Sequence, residues 1–573
     1  MPRWLHSRLF LRPFFHVSPH LVRLFLLLCV GASSFLTSQI RADDLSQLRQ
    51  EFLSPPPAAR PAVYWCWLNG YVDENALIAE LEQLAAKGIT GVYVFDIGAR
   101  SWDKPLPAGP AFLSPQWMSS FSKVVRKAGE LGIEVGLITS SSWNAGGPWI
   151  PPELAAMGLY RSSVIWEGPG HRTEKIPLPQ LPAAAPRDSD GRPLFYQEVA
   201  LLALPEKQVR TTEHFIFQLS GTDVHTVDRV VLYQASEASL PKGATPRPVK
   251  DFALWLSETS DEPEAFRLVL RATLTPEPGP QEFRFPPTKA RFAMLELLTG
   301  HNESQPGYDL AEFELYNRKG QNVASALKPD GTRTGAALLW WGSQSALDGP
   351  GSASCIHDGI TEGPRGIWRS AELPPLILEG PHEVLDLTSA LAADGTLTWD
   401  VPPGRWRIVR YGCGNTGQRL VLPSPQSAGL VLDHLNPEAT RFHFEYILSR
   451  LREHLGDFRQ TALRQLYVCS YEVRGATWTP RFLEEFARRR GYDMKAYLPA
   501  LDGCIVGDWP RTRRFLHDFR KTLGELLTDG FYRHAAEICR ENGLQLCAEA
   551  GGPGLPLPPG PLDALQAPGA TDL

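Results

Sequence analysis

Apolar positions along the chain change period twice, and the changes divide it into three zones. Residues 62–67 form an unbroken apolar run, as a strand buried on both faces would. Over 73–87, Leu77, Ile78, Leu81, Leu84 and Ala85 recur at helical spacing, and Gly88 follows as a stop signal. A second strand is predicted at 91–95, a helix at 115–131 and a third strand at 133–139. Strand and helix alternating at this spacing predict parallel βα units. From about 161 to 429 the helical period disappears. Short runs at 266–270, 293–297, 396–399 and 406–410 are separated by proline and glycine, which predicts antiparallel sandwich modules. Alternation then returns, with helices at 441–455, 480–490 and within 511–542, and strands at 465–470 and 544–548. The simplest account is one α/β domain, parts 43–160 and 430–573, interrupted by an all-β insertion over 161–429. Two separate α/β domains are the weaker reading, since neither half has enough strands to cover its own sheet.

The first 42 residues read as an export signal. Arg3, Arg8, Arg12 and Arg23 precede the apolar run 24–30, and Ile40-Arg41-Ala42 is a loose cleavage site. That run is short of the ~20 residues a bilayer span needs, so the expected product is exported, periplasmic or extracellular, with no stable span once the signal is cleaved. An uncleaved anchor is the alternative. The 573 residues carry 63 acidic and 57 basic side chains, a net charge of −6, which offers no basic face for nucleic acid. Beyond Cys29 the cysteines include no CxxC pair, and neither HExxH nor GxxxxGK[ST] occurs. Zinc-ribbon, zinc-protease and P-loop chemistry are therefore not indicated.

Candidate chemistry collects where the predicted parallel strands end, the rim at which βα folds place their sites. The ends read Trp67-Leu68-Asn69-Gly70, Phe95-Asp96-Ile97-Gly98, Ser140-Ser141-Ser142-Trp143-Asn144, Cys469-Ser470-Tyr471-Glu472 and Cys547-Ala548-Glu549-Ala550-Gly551-Gly552. Glu472 and Glu549 follow strands so apolar that their surroundings should be nearly buried, and a carboxyl raised by burial suits a general acid. Two carboxyl groups are the minimal machinery for cleaving a glycosidic bond. The plainer reading is a structural bridge to Arg474 or Arg540, and Asp96 has the same two readings. Asn69 and Asn144 are candidate sugar-binding groups. Trp67, Trp143 and Trp149 are either sugar platforms or packing.

The run Tyr64-Trp65-Cys66-Trp67-Leu68-Asn69-Gly70, then Ser114-Pro115-Gln116-Trp117 and Trp143-Asn144-Ala145-Gly146-Gly147-Pro148-Trp149-Ile150, resembles the start of the family 106 glycoside hydrolases, the α-L-rhamnosidases. Ser470-Tyr471-Glu472, Trp478-Thr479-Pro480, Arg489-Arg490-Gly491-Tyr492-Asp493 and Ala548-Glu549-Ala550-Gly551-Gly552 resemble its catalytic half. The resemblance implies an exported, inverting enzyme with a (β/α)8 TIM-type barrel interrupted by β-sandwich modules and acting on plant polysaccharides or glycans. It implies Glu472 as the catalytic acid, Glu549 as a second active-site carboxylate, and a calcium ion whose ligands it does not place. Two departures stand out. Cys469 occupies a position that is usually acidic, and the chain ends at Leu573, where family members run on. Five countable strands cannot close an eight-stranded barrel, so the expectation is an incomplete one. A barrel glycosidase of another sugar specificity and an inactive carbohydrate-binding fragment are the alternatives.

Overall fold

The computed structural model describes residues 42–56, 59–100, 106–206, 213–240, 244–302, 307–328, 330–341, 353–359, 367–370, 376–552 and 561–573. The expected export signal lies outside them, apart from Ala42.

Five strands, β1 (Ala62–Leu68), β2 (Gly91–Ile97), β3 (Glu134–Ile138), β4 (Leu463–Val468) and β5 (Gln545–Ala548), form a parallel sheet in the order β1-β2-β3-β4-β5. Helix α1 (Glu74–Ala86) starts where the Asp73 side chain accepts a hydrogen bond from the Ala76 amide at 2.9 Å. Helix α2 (Pro115–Leu131) has Ser114 as its cap and Pro115 in its first turn, and it ends at Gly132 in the left-handed region. Its Trp117, Phe121, Val124, Val125 and Ala128 fall on one stripe and are buried. That stripe joins the core formed with β2, β3 and β4.

Between β3 and β4 the chain makes the all-β excursion. A long hairpin-like pair, Met157–Lys175 with Thr396–Asn415, carries Tyr196–Pro205 and Leu385–Asp386 in a four-stranded sheet. Beyond it lie a five-stranded and a four-stranded antiparallel sheet. Phe217, Leu254 and Leu295 of the first and Val230, Leu232 and Phe313 of the second bury into one cluster. The excursion returns through Leu430–Val431, which pairs with Gly146–Gly147. Helix α3 (Pro437–Leu455) then leads into β4.

The predicted elements are present, with differences. The runs at 396–399 and 406–410 are one strand with a register shift between Val401 and Gly404. The long helix expected within 511–542 is broken. Helix α5 (Trp509–Leu527), which follows α4 (Phe482–Arg490), passes into a π-helical turn at Thr528–Arg533 and then α6 (His534–Glu541). Among the described residues the parallel strands form an open sheet rather than a closed barrel. The edge of β5 is occupied by Leu573, whose amide donates to the Leu546 carbonyl at 3.1 Å and whose carbonyl accepts from the Ala548 amide at 3.1 Å. Those two bonds flank Cys547 in the pattern of a parallel pair. No helix of the described residues is long and apolar enough to cross a membrane.

Candidate functional site

The parallel register sets Tyr467 beside Cys547 and Val468 beside Ala548, so the segments after β4 and β5 leave the sheet side by side. The Glu549 amide donates to the Val468 carbonyl at 3.0 Å, and the Tyr471 amide donates to the Gly551 carbonyl at 2.7 Å. These bonds extend the ladder past the strands and hold the loops carrying Glu472 and Glu549 against each other. Gln418, from the return of the all-β excursion, clamps the first loop. Its Nε2 donates to the Glu472 carbonyl and its Oε1 accepts from the Arg474 amide, both at 2.8 Å.

Glu472 is half-buried, and its Oε1 accepts a hydrogen bond of 3.5 Å from Ser470 Oγ. Burial pushes its carboxyl above the ordinary range and the negative charge of Glu549 adds to that, while Ser470 and Arg474 pull the other way. Glu549, expected to be nearly buried, is exposed, just past the four-residue strand β5. Its Oε1 accepts from the Tyr467 hydroxyl at 2.8 Å. The arginine bridges considered for the two glutamates do not form. Arg540 pairs with Asp572 at 2.7 Å, and Arg474 makes no ion pair with either glutamate.

Of the other predicted residues, all but Trp143 serve the scaffold. Trp67 is 1% exposed and packs on Trp117, Trp65 and Phe121, with 5.1 Å between the Trp67 and Trp117 ring centres. This corrects its reading as a sugar platform: the pleat turns Trp67 to the helices and puts Tyr64 and Leu68 on the exposed side. Asp96 is fully buried and accepts hydrogen bonds from Trp117 Nε1 at 2.9 Å, Ser424 Oγ at 2.6 Å and Ser141 Oγ. Burial raises its carboxyl and those three donors oppose the rise. It ties β2, α2 and two loops together and does not face the rim. Asn69, in the left-handed region at φ 58°, accepts from the Ala99 amide and donates to the Leu106 carbonyl. The Asn144 Oδ1 accepts from Ser142 Oγ and the Val421 amide. Both asparagines are loop pins, buried to 6% and 3% exposure. Trp149 stacks on Tyr446 at 4.5 Å and donates to His443 Nδ1, so it packs the helix layer. Trp143 keeps a half-buried ring 6.0 Å from Phe95.

Three groups escaped the sequence reading. Gln418 lies in a loop with no motif. Tyr64 and Tyr467 sit inside strands whose apolar runs hide which face each residue takes. Asp433 and His434, just before the Asn436 cap of α3, are buried. Burial pushes Asp433 up to about 7 against hydrogen bonds from Thr479 Oγ1 and the Leu435 amide, and it pulls His434 down to about 4. A cavity of about 660 Å³ lies at the opposite end of the strands, lined by Arg126, Glu134, His454, Arg459 and Arg464. It holds none of the groups above. Among the described residues no three acidic, histidine or cysteine side chains converge to hold a metal ion. The calcium implied by resemblance has no such side-chain ligand set among them.

Comparison with known proteins bears on this arrangement. The sequence model of glycoside hydrolase family 106, described as alpha-L-rhamnosidase, matches residues 53–242 and 376–567. The solved structure of a rhamnosidase from Novosphingobium sp. PP1Y is similar over 92% of this chain, with a TM-score of 0.55 and 23% identity. A protein of Formosa agariphila provisionally named beta-glucuronidase is 24% identical over 528 residues, 91% of this chain. The chain spans 49% of the length of the first and 32% of the second.

Proposed function

From a chain that belongs to the α-L-rhamnosidase family of glycoside hydrolases, we infer an exported enzyme that releases terminal α-L-rhamnosyl residues from plant polysaccharides or glycans. Glu472 is the general acid. Its carboxyl, raised by burial and by the neighbouring Glu549, keeps a proton at pH values where an ordinary glutamate has lost it, and gives that proton to the leaving glycosidic oxygen. Glu549, exposed on the adjoining strand end, faces the positive charge that develops on the sugar ring. Trp143 is the aromatic surface open to a sugar face.

The open sheet is read as an arc of the (β/α)8 barrel, with the two antiparallel sheets around Phe217 and Phe313 as an inserted β-sandwich. Side-chain contact between β1 and β4 supports the arc. Three strand spacings amount to ~14 Å in a flat sheet, yet the Tyr64 and Tyr467 rings lie 5.7 Å apart, so the sheet curls.

The observation that carries the assignment is the juxtaposition of Glu472 and Glu549 on joined strand ends, with no arginine of the described residues bridging them. Release of the aryl group from an aryl α-L-rhamnoside tests it. Turnover by the wild type that falls by at least ~10²-fold in Glu472→Gln, with binding retained, is the expected result for loss of a general acid. A panel including an aryl β-glucuronide tests the sugar. Turnover of the glucuronide alone would replace rhamnose with the specificity that the Formosa protein's name carries.

A further inference from the structure

A line of hydroxyls beneath the carboxylates plays no part in protonating the leaving oxygen. The Tyr467 hydroxyl donates to Glu549 Oε1 at 2.8 Å, and the Tyr64 hydroxyl lies 2.7 Å from the Tyr467 hydroxyl. A phenol has one proton. With the proton of Tyr467 given to Glu549, Tyr64 donates in the second contact. The direction Tyr64 to Tyr467 to Glu549 follows from counting protons.

Geometry holds this line in place. Tyr467 is 3% exposed, and its ring is enclosed by Tyr64, Tyr93 and Phe95 at 5.7, 5.3 and 5.0 Å. Tyr64, 59% exposed, brings the solvent end of the line to β1. Among the described residues, Tyr64, Tyr467, Cys469, Glu472, Cys547 and Tyr532 feel the charge of Glu549. The Tyr467 hydroxyl is the group placed on Glu549 itself, and a charge-assisted hydrogen bond is about twice as strong as a neutral one. Burial and these same bonds keep the Tyr467 phenol protonated far above the ordinary tyrosine range, so it stays a donor.

We propose that Tyr64 and Tyr467 are positioning residues that fix Glu549 as the ionised member of the carboxylate pair and leave the proton of the pair on Glu472. The proposal rests on the reading of Glu472 as general acid, but its first test needs no turnover. In the full chain labelled with ¹³Cζ-tyrosine, the Tyr64 and Tyr467 resonances, assigned through Tyr64→Phe and Tyr467→Phe, should move together as acid protonates the site. Both shifts should vanish in Glu549→Gln and persist in Glu472→Gln. The Tyr64 shift should also vanish in Tyr467→Phe. Resonances that stay flat in the wild type, or that follow Glu472 instead of Glu549, overturn the relay. With an aryl rhamnoside, Tyr467→Phe should lower kcat about tenfold with KM nearly unchanged, the loss of one hydrogen bond to a charged group. Tyr64→Phe, at an exposed position that spares the fold, should have the same effect in smaller measure. Unchanged kcat in both variants refutes the positioning role. Absence of turnover in the wild type, beside intact tyrosine titrations, counts against the hydrolase reading alone.

Discussion

Glu472 and Glu549 follow strands of similar character, and exposure separates them: one is half-buried behind a clamped loop and the other stands in solvent. Desolvation is the largest cause of the raised Glu472 carboxyl, and the Arg474 charge opposes it from the same loop. The sign of a substitution at Arg474 follows. An acid must be protonated to act, so activity falls as pH rises through its folded value, and removing a nearby cation moves that value up. Arg474→Gln should shift the alkaline limb of kcat/KM to higher pH while leaving the plateau nearly unchanged, as read from initial rates across a pH series. A limb that stays put or moves down would remove Glu472 as the group behind it. At this scale the expected burial of Glu472 is met in part, and Trp67 faces the helices instead of the rim. Ala62-Val63-Tyr64-Trp65-Cys66-Trp67 is apolar at every position, so nothing in it says which alternate residues meet the helices. Asp96, Asn69 and Asn144 are polar at strand ends, as site residues would be, but their partners are loop groups such as Ser424 and Val421, far away in sequence.

Element boundaries were legible wherever period and caps agreed, as for α2 between Ser114 and Gly132. The break inside 511–542 was not, since a π-helical turn at Thr528–Arg533 adds one residue to a turn without any proline to announce it. The junction between the all-β excursion and α3 was equally silent. There, Asp433 and His434 are buried just ahead of the Asn436 cap and titrate in opposite senses. Asp433 is raised to about 7, so the folded chain binds a proton that the unfolded chain releases near pH ~4. Its contribution is fully present at low pH and is lost as pH rises from ~4 toward 7, by at most ~4 kcal/mol. His434, lowered to about 4, contributes stability above the ordinary histidine value that is lost as pH falls toward 4. Between pH ~4 and ~6.5 the two slopes oppose each other, so the urea midpoint should change little there, and Asp433→Asn should unmask a midpoint that rises with pH over the same range. A midpoint that stays flat in the variant would mean that the two groups do not offset each other.

At the scale of the molecule the apolar interior is divided. One cluster joins the parallel sheet, its helices and the base of the excursion, and a second lies between the two outer antiparallel sheets. The sequence signalled a change of period near 160 and again near 430, whereas the second cluster begins at Phe215 and ends at Trp368, inside that stretch. It could not say how the parts are fastened. Among the fastenings are Arg513 to Asp261 and Arg514 to Glu264, ion pairs at partly exposed positions. Such pairs contribute at most ~1 kcal/mol each, too little to make two cores melt as one. Calorimetry should therefore resolve two transitions. Phe217 is fully buried and stacks on Phe313 at 4.7 Å between the outer sheets, so Phe217→Ala should cost about 3–5 kcal/mol there. One transition should fall by on the order of 10 °C. The other, which carries the Glu472 loop, should keep its temperature, and turnover measured below the lower transition should be unchanged. A single peak that moves as a whole would mean that the long Met157–Lys175 and Thr396–Asn415 pair couples the cores more tightly than the ion pairs do.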